Sequence, residues 1–256
     1  MKFIATALAF LAAFTTLSGF AGSSATAAGL SKLVEGQSGD ERGYPKTTVL
    51  WPRNAPIPVC WGMDEAFAHY AADREIVRQA VANTWEAASL VRFAGWGRCG
   101  DANNNGISIG LVDDLIRGNF EDNPRTFGLG TDLVNLRPGM LLNFEFSTWT
   151  HSCQLERAEC IRKIAVHEFG HALGFAHEQN RNDTPKNLCL GEGQGPMGSN
   201  GDVLFGPWDL ASIMNYCNPQ WIGDGNLSAG DIAMVRKYYG GSDTFNIIGS
   251  FYILLD

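Results

Sequence analysis

The feature that most limits what this chain can fold into is the pattern His-Glu-x-x-His-x-x-Gly-x-x-His, which begins at His167. Residues four apart lie on one face of a helix, about 6 Å apart along its axis, so the imidazoles of His167 and His171 can meet at one point. Gly174 accepts the positive φ with which the chain can turn sharply and bring His177 back to that point. The pattern therefore predicts a helix that ends near Gly174 and three converging histidines.

Three histidine ligands are typical of catalytic Zn²⁺, which binds nitrogen at about 2.0–2.1 Å in a tetrahedral shell and keeps one position open for water. Glu168 follows the first histidine, where its carboxylate can reach that water without being a ligand. Zinc lowers the pKa of bound water to about 7, and a carboxylate can take the proton as the water attacks a carbonyl. We therefore predict Zn²⁺ at His167, His171 and His177, with Glu168 as the general base.

Two residues further along the chain complete the predicted site. Met214 lies in the segment Ser212–Tyr216 and is the candidate for the turn that supports the zinc site of metzincins. Tyr216 could place its phenol near the metal, either as a ligand or as a donor to a developing oxyanion. His69 and His151 lack such a context and are predicted to be ordinary structural residues.

The N-terminus predicts secretion. Lys2 precedes an apolar run, Phe3–Phe14, and small residues follow up to Ala28. This is the pattern of a signal peptide over residues 1–28. The apolar run is shorter than the ~20 residues of a spanning helix, although an uncleaved anchor is the alternative.

In an oxidising compartment, the six cysteines are most simply three disulfides, and 15 pairings are open. A cysteine zinc site is the alternative, but the chain has no C-x-x-C pair. The net charge of −8 argues against nucleic-acid and anionic-membrane partners, which normally require a basic surface.

Residues 29–50 are polar and glycine-bearing, which predicts a leader or short pro-segment, with ordered structure from Trp51 and one domain over 51–256. The tail, 241–256, has no predicted role. The predicted helices run from Asp73, as N-cap, to Leu90, over Glu156–Leu173, and over Ala229–Tyr239 with Ser228 as N-cap. The predicted strands are Ile57–Trp61, Val91–Phe93, Ile107–Val112 and Met140–Phe146.

At these motifs the chain resembles the astacin family of secreted zinc endopeptidases, within the metzincins. Glu178 follows the third histidine as in that family, and the segment Trp208–Tyr216 is similar to its methionine turn. Trp51-Pro52 resembles its N-terminal strand and 227–232 its C-terminal helix, so the likeness spans 51–239. The chain departs from the family at Asn215, where a histidine is usual, and in its cysteine pattern.

The resemblance implies an α+β metzincin fold: a twisted, mainly antiparallel-edged sheet with the active-site helix, then an irregular C-terminal subdomain with the methionine turn and a final helix. It implies a monomeric, extracellular enzyme that hydrolyses protein or peptide substrates, with Tyr216 as an additional, movable zinc ligand. Asp40 resembles the aspartate that blocks zinc in astacin proforms.

A substrate peptide is expected to pair with an edge strand, for which we predict Met140–Phe146. Two other classes remain open from the sequence: a binding module that keeps the zinc fold, and a zinc hydrolase acting on small esters or amides.

Overall fold

The computed structural model describes residues 41–62, 68–100, 105–111, 123–147, 149, 151–189 and 195–241. These residues belong to one compact unit, which begins at Gly39. The predicted signal peptide, Asp40 and the tail from residue 242 onward lie outside the described residues. Within the described residues, none of the helices has the length and apolar character needed to span a bilayer.

A five-stranded sheet forms one layer of the described unit. Its strands are β1 (Ile57–Trp61), β2 (Phe93–Arg98), β3 (Ile107–Leu111), β4 (Arg125–Thr126) and β5 (Met140–Leu142). Their order is β2-β1-β3-β5-β4. All pairs are parallel except β4 with β5, so the sheet has one antiparallel edge strand. The α+β prediction is confirmed.

The prediction of an edge strand over Met140–Phe146 is wrong in two respects. β5 ends at Leu142, and it lies between β3 and β4, not at the edge. The strand ends because the side-chain oxygen of Asn143 accepts hydrogen bonds from the backbone N–H groups of Glu145 and Phe146, at 2.9 and 2.8 Å. An asparagine that bonds the backbone two residues on forms a turn, which replaces the strand ladder.

Four helices accompany the sheet in the described residues. They are α1 (Ala71–Val81), which continues as a π-helical segment over Ala82–Glu86, α2 (His151–Leu155), α3 (Arg157–Ala172) and α4 (Ala229–Tyr239). Asp73 does not cap α1 as predicted: it lies buried in the first turn and forms an ion pair with Arg157 at 3.0 Å. Ser228 caps α4 as predicted, in a reciprocal pair with Asp231.

Helix α3 is the central element, because every residue from Ile164 to Ala172 is buried. A helix that is buried on all sides needs partners on every face. The indole of Trp85 donates a hydrogen bond to the carbonyl of Val166 at 2.8 Å, and Trp96 stacks on Phe169 with 5.6 Å between ring centroids. The helix that carries the histidines is therefore fixed by α1 on one side and by the sheet on the other.

Ordered structure begins earlier than Trp51, where it was predicted. Residues 41–50 pack on the turn that follows α3, where Lys46 donates its N–H to the carbonyl of Gly174 at 2.8 Å. The carbonyl of Tyr44 accepts from the N–H of Ala176 at 2.9 Å, and that of Gly43 accepts from Phe205 at 3.0 Å. We call residues 43–46 the N-terminal strap, since they cross between the turn after α3 and the loop that contains Phe205.

The prediction of three disulfides is confirmed. The structure pairs Cys60 with Cys99, Cys153 with Cys160, and Cys189 with Cys217. The first joins β1 to the end of β2, the second joins α2 to α3, and the third links the loop after His177 to the segment after Tyr216. Such bridges restrict the unfolded chain, and they are typical of extracellular proteins.

Candidate metal centre

The three histidines of the motif meet at one point. Nε2 of His177 lies 3.2 Å from Nε2 of His167 and 3.1 Å from Nε2 of His171. All three side chains are buried. His167 and His171 are one helical turn apart on α3, and Gly174, with φ +94°, turns the chain so that His177 returns to them. A residue other than glycine is strained at that φ, so the glycine is required by this geometry.

The outer nitrogen of each imidazole contacts a backbone carbonyl. Nδ1 of His167 lies 2.8 Å from the oxygen of Ile213, Nδ1 of His171 lies 2.7 Å from that of Phe175, and Nδ1 of His177 lies 3.0 Å from that of Met197. Because a carbonyl only accepts, each Nδ1 carries the proton and donates it. Each Nε2 is then an unprotonated acceptor that faces the common point.

This donor set fits a zinc ion. Three acceptor nitrogens 3.1–3.2 Å from a neighbour repel one another unless a cation lies between them. Two nitrogens bound tetrahedrally at about 2.0–2.1 Å from one ion lie about 3.3 Å apart, close to the distances found. Burial lowers the pKa of all three histidines, that of His167 to about 3, so they are neutral and can act as ligands at neutral pH.

Glu168 lies beside the three histidines and is held by the edge strand. Thr126 in β4 donates its hydroxyl to Oε2 of Glu168 at 2.7 Å. Burial raises the pKa of Glu168 to about 7, and the hydrogen bond from Thr126 opposes that rise. A carboxyl group whose pKa lies near neutrality can both take and return a proton. Thr126 was not identified from the sequence, because only the fold brings β4 next to α3.

Tyr216 covers the histidines. Its ring stacks on His167, with 5.0 Å between centroids, and lies 4.8 Å from His177. Its backbone N–H donates to Oε1 of Gln179 at 3.1 Å, which fixes the start of the side chain. Burial raises the pKa of its phenol, so Tyr216 is a neutral hydrogen-bond donor at physiological pH.

Met214 lies beneath the helix, as predicted for the methionine turn. A methyl group at Gly170 would overlap the sulfur of Met214, so the glycine lets the turn approach α3 closely. The backbone of Met214 also accepts the N–H of Glu178 at 2.8 Å, directly after His177. The turn thus contacts both the helix and the loop that carry the histidines.

A buried aspartate supports this turn from α4. Asp231 accepts the hydroxyl of Ser212 at 2.7 Å and the N–H groups of Ile213 and Ser228, each at 2.9 Å. The carbonyl of Ile213 in turn accepts a hydrogen bond from Nδ1 of His167. The sequence indicated Asp231 only as part of α4, and its contact with the turn is long-range.

Asn215, which departs from the family pattern, is fully buried. Its side chain donates to the carbonyl of Asp209 at 2.7 Å and accepts the N–H of Cys217 at 3.0 Å. It therefore stabilises the turn from within. His69 packs edge-on against Tyr70 and His151 begins α2, so among the described residues the three motif histidines are the cluster that could hold a metal ion.

Comparison with known proteins agrees with this geometry. Residues 150–192 match the family model Astacin (Peptidase family M12A). The matched segment contains the three histidines and Glu168, so the chain is similar to the astacin family over its metal-binding motif. The fold of the chain also resembles a solved structure of myroilysin, with a TM-score of 0.52 and 17% identity over 77% of this chain and 98% of that one.

A second structure of myroilysin matches with a TM-score of 0.45 and 17% identity, over 80% of this chain and 93% of that one. No curated protein sequence matches. The family model covers the segment with the three histidines and Glu168, and this match to a peptidase family supports a metalloendopeptidase. The structural likeness supports the fold.

Proposed function

We propose that this astacin-like metallopeptidase is a secreted, monomeric, zinc-dependent endopeptidase in which His167, His171 and His177 hold Zn²⁺ and Glu168 is the general base. The observation that carries the proposal is the convergence of three unprotonated Nε2 atoms next to a buried carboxyl group. Bound zinc would supply Lewis-acid activation of water and of the scissile carbonyl.

The residues of the chain then perform the proton transfers. Glu168 takes a proton from the attacking water as the new C–O bond forms. It delivers that proton to the leaving nitrogen as the C–N bond breaks, which yields a carboxylic acid and an amine. Thr126 holds the accepting carboxylate in one orientation. Tyr216 remains protonated and would donate its hydroxyl to the oxyanion.

The edge strand β4 is the element on which a substrate would lie. Arg125 and Thr126 pair with β5 on one side only, and Thr126 contacts Glu168. An extended peptide added along β4 would therefore place its carbonyl groups near the three histidines. This assignment replaces Met140–Phe146, of which only Met140–Leu142 is strand, and that strand lies between β3 and β4.

Glu168→Gln tests the mechanism against a matched change on the same helix. We expect the purified variant to retain about one zinc per chain and to lose at least about 100-fold in kcat/KM on casein. Glu159→Gln is the control, because Glu159 forms only a surface ion pair with Arg162. Chelation should abolish the wild-type activity, and wild-type rates in Glu168→Gln would refute the proposed role.

Secretion is tested separately. Expression of the full chain should deliver into the medium a protein whose first residue lies close to position 29, as the predicted cleavage near Ala28 requires. Retention of the full chain in a membrane fraction would contradict this part of the proposal and leave the catalytic part unaffected.

A further inference from the structure

A cavity of about 470 Å³ opens beside His167 and Glu168 on α3. Two indoles and two isoleucines are part of its lining, and we call it the aromatic pocket after them: Trp149, Ile164, Trp221 and Ile222. The two indoles meet edge to face, with 6.1 Å between ring centroids. A concave apolar site with a few polar groups at one end is the usual form of a ligand-binding pocket.

The aromatic pocket is continuous with the proposed catalytic residues. His167 and Glu168 line its inner end, and Tyr216 contributes to its rim. A peptide bond held at Glu168 therefore has this cavity next to it. The group that would enter the aromatic pocket is a side chain of the same peptide, next to the bond that is cleaved.

Hydrogen bonds attach the outer wall of the pocket to α3. Trp221 and Ile222 lie in a tight segment, Trp221–Gly225, and Ile222 has a φ of +41°. Arg162 on α3 donates to the backbone carbonyls of Asp224 and Gly225, at 2.7 and 3.1 Å. These bonds fix the segment to the helix that carries the histidines, so the pocket is preorganised relative to the catalytic residues.

The opposite wall is fixed in the same way. The ring of Trp149 packs edge to face on Phe146, with 5.3 Å between ring centroids. The backbone N–H of Trp149 donates to the carbonyl of Phe146 at 3.0 Å. Phe146 is fully buried. Trp149 is therefore packed directly on a core residue.

The charges around the pocket disfavour an acidic side chain. Lys163 lies over the face of Trp221, with Nζ 5.9 Å from the ring centroid, but it is paired with Asp224. Among the described lining residues, the only carboxyl group is Glu168. An acidic substrate side chain would lose water, meet two indole faces and lie near a like charge, which is costly.

We propose that the aromatic pocket selects peptides with a large apolar or aromatic side chain, such as Phe or Leu, directly next to the scissile bond, and that Trp149 and Trp221 determine this preference. The inference rests on the proposed peptidase function and adds a substrate class to it. The cavity has room for an aromatic side chain, and burying one removes about 150–250 Å² of surface from water.

A series of peptides tests the proposal with the zinc-loaded full chain. The peptides share one sequence and differ only at one residue next to the cleaved bond, which is Phe, Leu, Ala or Asp, and mass spectrometry locates the cut. We expect kcat/KM for Phe and Leu to exceed that for Ala by at least about tenfold, with Asp lowest. Equal rates for Phe, Ala and Asp, on either side of the bond, would overturn the proposal.

Variants assign the preference to the pocket. Trp221 is 40% exposed, so Trp221→Ala is expected to fold and to lower the ratio of kcat/KM for the Phe peptide to that for the Ala peptide by about tenfold. Trp221→Phe should restore most of the preference, and Trp221→Arg should raise the relative rate on the Asp peptide. Leu90→Ala, which alters an exposed residue remote from the cleft, is the control and should change neither rate.

The outcomes separate this inference from the proposed function. If the wild type cleaves none of the peptides and does not cleave casein, the peptidase proposal fails. If it cleaves them in a chelator-sensitive way while Trp221→Ala and Trp221→Arg keep the wild-type order of rates, the peptidase proposal stands and the pocket assignment is wrong.

Discussion

The carbonyl oxygen of Ile213 lies 2.8 Å from Nδ1 of His167, and the N–H of the same residue donates to Asp231 at 2.9 Å. One peptide segment thus connects a carboxylate on α4 to the imidazole of the proposed first ligand. Partners that orient a metal-binding histidine in this way usually affect metal affinity strongly.

Asp231→Ala tests this connection. The change removes the acceptor for Ser212, Ile213 and Ser228, so we expect the free energy of unfolding to fall by about 1–3 kcal/mol or more. Zinc affinity should fall about tenfold in a competition titration with a chromophoric chelator. Asp132→Ala, which removes only a surface ion pair with Lys46, is the control. A folded Asp231→Ala variant with wild-type zinc affinity would contradict the connection.

Thr126→Val tests the hydrogen bond to Glu168. That bond favours the carboxylate and so lowers the pKa of Glu168, and its loss should raise the pKa. A general base acts only when deprotonated, so activity is lost as pH falls through this pKa. The acid limb of the kcat/KM profile should therefore move to higher pH by roughly half to one unit. Thr126→Ser keeps the hydroxyl and should leave the limb in place.

Gly170→Ala tests the close approach of Met214 to α3. Alanine is the better helix former by about 1 kcal/mol, yet its methyl group would overlap the methionine sulfur. We expect a net loss of about 1–3 kcal/mol in urea unfolding, since overpacking a buried site forces neighbours to move. Gly97→Ala is the matched control, because a methyl group there meets nothing within 4 Å. Equal stability of the two variants would show that Met214 can move away from α3 without a measurable loss of stability.

Arg181→Met tests the buried cation behind the site. Arg181 is fully buried, lies 3.3 Å from Glu178 and donates to the carbonyl of Gly43 at 2.8 Å. Removing it takes the cationic partner from the buried carboxyl group of Glu178, which keeps the N–H of Asp209 as a donor, so the melting experiment should show a loss of about 3–5 kcal/mol. Arg78→Met, which breaks a surface pair with Glu75, should cost at most about 1 kcal/mol. A small loss for Arg181→Met would show that Glu178 is stabilised in another way.

The elements that were predicted correctly are those with local signals. Helix α4 begins after Ser228 because the capping residue and its partner are three positions apart, and α3 ends near Gly174 because glycine accepts the turn. The convergence of the histidines also follows from spacing along one helix and one turn. In each case the interacting residues are close in sequence.

The missed elements depend on contacts between distant segments. Thr126 reaches Glu168 only because β4 pairs with β5 at the edge of the sheet. The sequence of a single strand does not predict its place in the order of the strands. Trp221 contacts Trp149 because hydrogen bonds from Arg162 attach its segment to α3. The turn at Asn143 was predicted as strand because Leu142, Phe144 and Phe146 alternate with polar residues in the sequence. In the structure these three residues are buried, and so is Asn143, so the alternation does not reflect a strand with one exposed face.

The N-terminal strap sets a limit on how this chain can be trimmed. The carbonyl of Tyr44 accepts from Ala176, and the N–H of Lys46 donates to Gly174. Both bonds are made to the turn that brings His177 back to the other two histidines. A cut downstream of residue 46 would remove these bonds and so weaken the turn that positions the third histidine. We therefore expect a fragment that starts at Trp51 to lose stability and activity relative to one that starts upstream of Gly43, even though it retains every histidine.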